Sequence, residues 1–82
     1  MLREDKFVLF SIPNCVWCER AEALLKSRGE EYVVLPGTRS GPYSEFIEAA
    51  GFTTMPQIFL GADYIGGFLA LQAFINGVTR DL

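Results

Sequence analysis

Between Phe7 and Leu35 the hydrophobic pattern changes period twice, and that succession leaves few folds open. Phe7, Val8, Leu9 and Phe10 form a continuous apolar run bounded by a proline, the pattern of a strand buried on both faces. From Cys15 the spacing becomes that of a helix face: Cys18, Ala21 and Leu25, with Leu24 beside them, recur at three and four residues. Glu19, Arg20, Glu22 and Lys26 fall largely elsewhere. Lys26 and Arg28 complement the helix dipole in the last turn, and Gly29 supplies a stop. Tyr32, Val33, Val34 and Leu35, rich in β formers, follow at once and complete a parallel strand-helix-strand unit.

Pro36-Gly37 ends that unit. Tyr43, Phe46, Ile47 and Ala50 then repeat at helical spacing, with Pro42 placed for a first helical turn and Gly51 for the stop. Gln57 to Leu60 and Tyr64 to Ile65 are short strands joined across Gly61-Ala62-Asp63, and Leu71, Phe74, Ile75 and Val78 give a last helical stripe. The expected order is β-α-β-α-β-β-α, an α/β fold with a mixed four-stranded sheet and three flanking helices. A chain of 82 residues supports one core, so residues 1–82 are expected to form a single domain.

Composition removes whole classes of function. The chain has no histidine, which excludes Ser/His/Asp and Cys/His catalysis and the commonest metal ligand. Its formal charge is -3 and its 7 Lys and Arg residues are scattered, so no basic stripe is available to a nucleic acid. Glu4 and Asp5 dilute the start that a signal peptide would need, and no apolar segment approaches the roughly 18 residues that span a bilayer. A cytoplasmic chain with no membrane contact is expected, in a compartment where a permanent disulfide is improbable.

The 2 cysteines, Cys15 and Cys18, therefore carry the question. A C-x-x-C that follows a strand and opens a helix is a redox pattern. At the helix mouth Cys15 receives unpaired backbone N–H groups and the positive end of the dipole, both of which favour a thiolate, so it is the expected nucleophile. Cys18, one turn deeper on the same side, is placed to attack a mixed disulfide on Cys15 and is the expected resolving thiol. Blander readings are a core cysteine, half of a zinc site, and a static disulfide. The spacing, the missing ligands and the inferred compartment respectively weigh against them.

Three separated motifs, CVWC at 15–18, TMP at 54–56 and Gly66-Gly67, occur in an order that resembles the glutaredoxins, within the thioredoxin superfamily. Trp17 inside the first motif, the run TMPQIF and the following IGGF are most similar to the small glutaredoxins of bacteriophages. The resemblance implies a thioredoxin-like fold and a cis bond before Pro56. It further implies that Met55, flanked by Thr54 and Pro56, offers its backbone to the cysteinyl part of glutathione as an added strand would. Phe68 and Leu69, after Gly66 and Gly67, would direct backbone N–H groups at the γ-glutamyl carboxylate. Trp17 would be an exposed wall of the cleft.

Departures from the family pattern are informative. Ile12 stands where many relatives carry a lysine for the glycyl carboxylate, and Arg39 is the candidate replacement cation. Asn14 either orients the active-site turn or caps its helix, where it would compete with Cys15 for donors. Leu69 replaces an aspartate that meets the amino group of glutathione, which weakens glutathione and favours a protein thiol such as that of ribonucleotide reductase. Val16 replaces a proline, a change the family shows where two subunits hold a [2Fe-2S] cluster through the first cysteine and glutathione.

The expectation is a monomeric dithiol disulfide oxidoreductase with no tightly bound cofactor and no metal. Glutathione would be its co-substrate, and glutathione or thioredoxin reductase would restore the dithiol. The alternative is a cluster-binding dimer in which Cys15 is the ligand.

Overall fold

The computed structural model describes the backbone of residues 5–80 and the side chains of residues 5–77. The side chain of Val78, in the last helical stripe, and the whole of Glu4, near the start, fall outside those ranges. Its elements are β1 (Phe7–Ser11), α1 (Val16–Ser27), β2 (Tyr32–Pro36), α2 (Ser44–Ala49), β3 (Gln57–Leu60), β4 (Asp63–Gly66) and α3 (Phe68–Arg80). The sheet order is β2-β1-β3-β4. β1 pairs parallel with β2 and antiparallel with β3, and β4 returns antiparallel on β3. The continuous apolar run is thus a central strand of a thioredoxin-like mixed sheet.

Alternation along β1 and β3 sends two different kinds of side chain to the two faces. Phe7 and Leu9 pair in register with Leu60 and Ile58. Together with Ala21 and Leu25 of α1 and Leu71 and Ile75 of α3 they form a core that is aliphatic apart from the Phe7 ring. The opposite face is aromatic. There Phe10 and Phe59 meet Phe46 of α2, with Phe10–Phe46 ring centroids 5.6 Å apart and Phe46–Phe59 centroids 6.0 Å apart. Phe52 stacks on Tyr64 at 5.4 Å, closing the cluster towards β4.

Helix ends follow the glycines. Gly29 N–H donates to Lys26 O and Glu30 N–H to Leu25 O, a Schellman stop for α1. Gly51, at φ 76°, repeats the motif for α2, its N–H donating to Glu48 O while Phe52 N–H donates to Ile47 O. That stop turns the chain towards the loop that precedes β3.

Two local expectations are corrected. Pro42 is not in the first turn of α2: Ser44 N–H donates to Gly41 O, so Pro42 and Tyr43 form a turn and the helix begins only at Ser44. Asn14 does not cap α1. Cys15 is the cap residue, and Asn14 adopts φ 58°, a left-handed conformation that asparagine tolerates better than most side chains.

Candidate active site

β1 ends beside the sheet's other parallel strand and delivers the Pro13–Asn14 turn to the mouth of α1. Cys15, extended at φ -116°, caps that helix with its own sulfur, and Cys18 N–H points at Cys15 Sγ from 3.1 Å. A backbone donor aimed at sulfur stabilises negative charge there. The two cysteines are joined in a disulfide, the oxidised form of a dithiol pair. They differ in access: Cys15 is half-buried, whereas Cys18 is 3% exposed beneath it.

Opposite the sulfur lies the Thr54-Met55-Pro56 loop. The Met55–Pro56 bond is cis, as the resemblance implied, and Met55 O lies 3.6 Å from Cys15 Sγ. Gln57, 6% exposed, holds this loop from behind. Its Nε2 donates to Thr54 O at 2.8 Å and to Thr54 Oγ1 at 3.4 Å, while its Oε1 accepts from the Tyr64 hydroxyl. The side chain of Met55 runs past Gly37, at the end of β2.

Met55 and Thr54 are shared by two grooves. The first, about 320 Å³, is bounded by Trp17, by the Thr54–Pro56 loop and by Gly67, Phe68, Leu69 and Ala70 at the start of α3. Trp17, 47% exposed, packs on Phe68 with ring centroids 5.5 Å apart, and Arg20 Cζ lies 4.9 Å from the Trp17 ring centroid. Leu69 is 69% exposed. The second groove, about 400 Å³, runs from Ile12 and Pro13 past Gly37, Thr38 and Arg39 to Phe52 and Thr53. Ile12 leaves Arg39 as the cation on its wall.

The fold therefore brings Trp17, Thr54, Met55, Pro56, Gly67, Phe68 and Leu69 to one groove and Arg39 to the other. Asn14 and Gly66 line neither. Asn14 shapes the turn before Cys15. Gly66 is buried at φ 128°, where an added Cβ would lie 2.8 Å from Ala70 Cβ, so its role is to let α3 start close to the sheet. Among the described residues no three His, Cys, Asp or Glu side chains are grouped to hold a metal ion. No helix of the described residues is long and apolar enough to cross a membrane.

Gln57 and Gly37 escaped the reading of the sequence as parts of the site. A polar residue opening the apolar strand QIFL is a usable signal for Gln57. Nothing local marks Gly37. Arg20, which the sequence offers as a charge favouring a thiolate, lies against the Trp17 ring.

A glutaredoxin family model matches residues 7–65. Glutaredoxin 3 of Escherichia coli (strain K12) is 40% identical over 60 residues, which cover 72% of this chain and 72% of that protein. The dithiolic glutaredoxin 2-C-Grx1 of Trypanosoma brucei brucei superposes with a TM-score of 0.73 at 30% identity, covering 94% of this chain and 84% of that one. A buckwheat glutaredoxin in complex with glutathione shares the fold, with a TM-score of 0.70 at 23% identity over 89% of this chain and 71% of the other. The matched span runs through β1, the cysteine pair, the cis-proline loop and most of the terminal hairpin, and the chain belongs to the glutaredoxin family.

Proposed function

We propose that this glutaredoxin-type thiol-disulfide oxidoreductase works through Cys15 as nucleophile and Cys18 as resolving thiol, with glutathione as its reductant. The observation that carries the assignment is the asymmetry of the pair. Cys15 Sγ accepts the Cys18 N–H at 3.1 Å and faces the groove-lining Met55, while Cys18 is 3% exposed.

In the reduced chain the Cys15 thiolate attacks one sulfur of a substrate disulfide. A new S–S bond forms on Cys15, the old one breaks, and its electron pair leaves on the substrate's other sulfur, which takes a proton from solvent. Cys18, deprotonated in turn, attacks Cys15 Sγ, releases the substrate as a thiol and leaves the Cys15–Cys18 disulfide. One glutathione thiolate then opens that bond at Cys15, and a second removes the first as glutathione disulfide. Met55 serves this chemistry by lying alongside the incoming cysteine in strand fashion, with its backbone groups as hydrogen-bond partners. Arg39 offers a cation to a carboxylate in the second groove, and the first turn of α3, at Phe68 and Leu69, offers N–H groups in the other.

The glutathione complex of buckwheat glutaredoxin supports glutathione as the small thiol. Protein disulfides, including that of ribonucleotide reductase, form the second substrate class, and thioredoxin reductase is the competing reductant. A reducing compartment such as the cytoplasm fits both. Were a [2Fe-2S] cluster held between two chains instead, Cys15 would be the ligand this chain supplies, and no step above passes through it.

The deciding assay is turnover of a glutathione mixed disulfide with glutathione as electron donor. Cys15→Ser is expected to lose activity by about 100-fold or more. Cys18→Ser is expected to keep turnover of the small mixed disulfide and to lose reduction of protein disulfides. Full activity in Cys15→Ser, or exchange of the two phenotypes, refutes the assignment. Replacing glutathione by thioredoxin reductase in the same assay decides the reductant.

A further inference from the structure

The groove beside Cys15 on the α3 side carries no charged side chain on its wall. Its side walls are carbon: the Trp17 ring, the Phe68 ring against it, and the side chains of Leu69 and Ala70. Trp17 and Leu69 leave 47% and 69% of their surface in water, although they flank the loop whose Met55 O is 3.6 Å from the reactive sulfur. The Trp17 wall carries a positive charge against its ring, Arg20 Cζ sitting 4.9 Å from the ring centroid. Covering apolar surface is favourable, whereas a cation entering here finds no carboxylate on the groove wall, and the charge held against the Trp17 ring is of its own sign.

From these features we infer that the substrate is a polypeptide disulfide whose reactive cysteine is flanked by an uncharged apolar side chain, which docks between Trp17 and Leu69, and that a flanking cation is rejected. The inference rests on the assignment of Cys15 as nucleophile and adds what the groove selects. In the selecting step the Cys15 thiolate attacks the peptide sulfur. The Cys15–peptide S–S bond forms as the bond to the outgoing sulfur breaks, and the electron pair departs on the outgoing thiolate. The peptide is therefore held in the groove as the bond is made, so groove preference appears in the rate of that step.

The test uses the fully reduced chain and capped tripeptides, X-Cys-Gly and Gly-Cys-X, with X as Leu, Lys or Glu. Each is presented as its mixed disulfide with 2-nitro-5-thiobenzoate, whose release is read by colour. The expected result is that, in at least one series, the Leu peptide reacts fivefold or more faster than the Lys peptide and no slower than the Glu peptide. Leu69→Asp, at an exposed position that tolerates the change, is expected to shrink the Leu-to-Lys ratio at least threefold. A Leu-to-Lys ratio below five in both series, or an unchanged ratio in Leu69→Asp, overturns the proposal. So does a faster Glu peptide, since the N–H groups of Phe68 and Leu69, and not the apolar side walls, would then select the flanking residue. Failure to release thiobenzoate from any peptide would instead strike the assignment of Cys15 itself.

Discussion

A Cβ added to Gly37 would lie 2.6 Å from Met55 Sδ and 3.4 Å from Phe10 Cβ. The residue after β2 is thus kept bare so that the central side chain of the cis-proline loop can lie across it, which ties the edge strand to the loop facing Cys15.

Gly37→Ala is expected to displace the Met55 side chain, the more flexible of the two neighbours, at a cost of about 1 kcal/mol. Because Met55 lines both grooves, kcat/KM should fall several-fold as well. In the double variant Gly37→Ala, Met55→Ala the added methyl has room, so a coupling of about 1 kcal/mol is expected in a double-mutant cycle followed by urea unfolding. Strict additivity would show that the glycine serves something other than Met55.

Gln57 is the brace behind the loop. Gln57→Leu removes the donor to Thr54 O and the acceptor of the Tyr64 hydroxyl, and is expected to cost about 1–3 kcal/mol. Tyr64→Phe leaves the amide bonded to Thr54 and, at a position 53% exposed, is expected to cost about 1 kcal/mol or less. Amide hydrogen exchange at Met55 should accelerate in the same order. The reverse order would mean that the Phe52–Tyr64 stack, not the amide, holds the loop.

The adjacent glycines are expected to behave differently. Gly66→Ala forces a side chain into φ 128° and towards Ala70, and should destabilise by about 1–3 kcal/mol. A Cβ on Gly67 would meet Pro56 O at 3.6 Å, an ordinary contact, so Gly67→Ala should leave unfolding within about 0.5 kcal/mol of wild type and act on KM, since Gly67 borders a groove. Equal losses of stability in the two variants would contradict this division.

Half-burial, and next the Glu22 carboxylate that accepts from the Tyr32 hydroxyl at 3.3 Å, hold the Tyr32 phenol above the usual tyrosine range. The folded chain then keeps this proton at pH values where the unfolded chain has released it. Stability is intact below the ordinary tyrosine pKa of about 10 and declines as pH rises towards the folded value. Glu22→Gln removes the repulsive charge, so phenolate absorbance should appear at lower pH and the alkaline loss of stability should become shallower. An unmoved titration would exclude Glu22 as a cause.

What could be read from the sequence was whatever a short window determines. The Phe7–Phe10 run, the three-and-four rhythm from Cys18 to Leu25, and the stops at Gly29 and Gly51 each report local geometry, and each lies where expected. Pro42 misled because a turn closed on Gly41 O uses the same residues as a first helical turn. Asn14 was ambiguous for a related reason: the residue type serves both a cap and a left-handed turn, and only the backbone distinguishes them. The grooves were legible through family motifs alone, since one arises where α1, the loop and α3 converge and the other where the loop meets the segments after β1 and β2. The Trp17–Phe68 contact and the space over Gly37 depend on residues far apart in the chain, and no periodicity encodes them.

The sulfur that caps α1 also exchanges electrons, which makes the helix a party to the redox equilibrium. Reduction replaces a neutral disulfide acceptor by one able to carry charge, opposite the Cys18 N–H. The first turn is therefore held with different strength in the two forms. Around the closed cycle of folding and reduction, that difference in stability equals the displacement of the chain's electron affinity from that of its unfolded peptide. A substitution anywhere in α1 that stabilises its amino end selectively in one form thus retunes an electrochemical quantity without touching either sulfur.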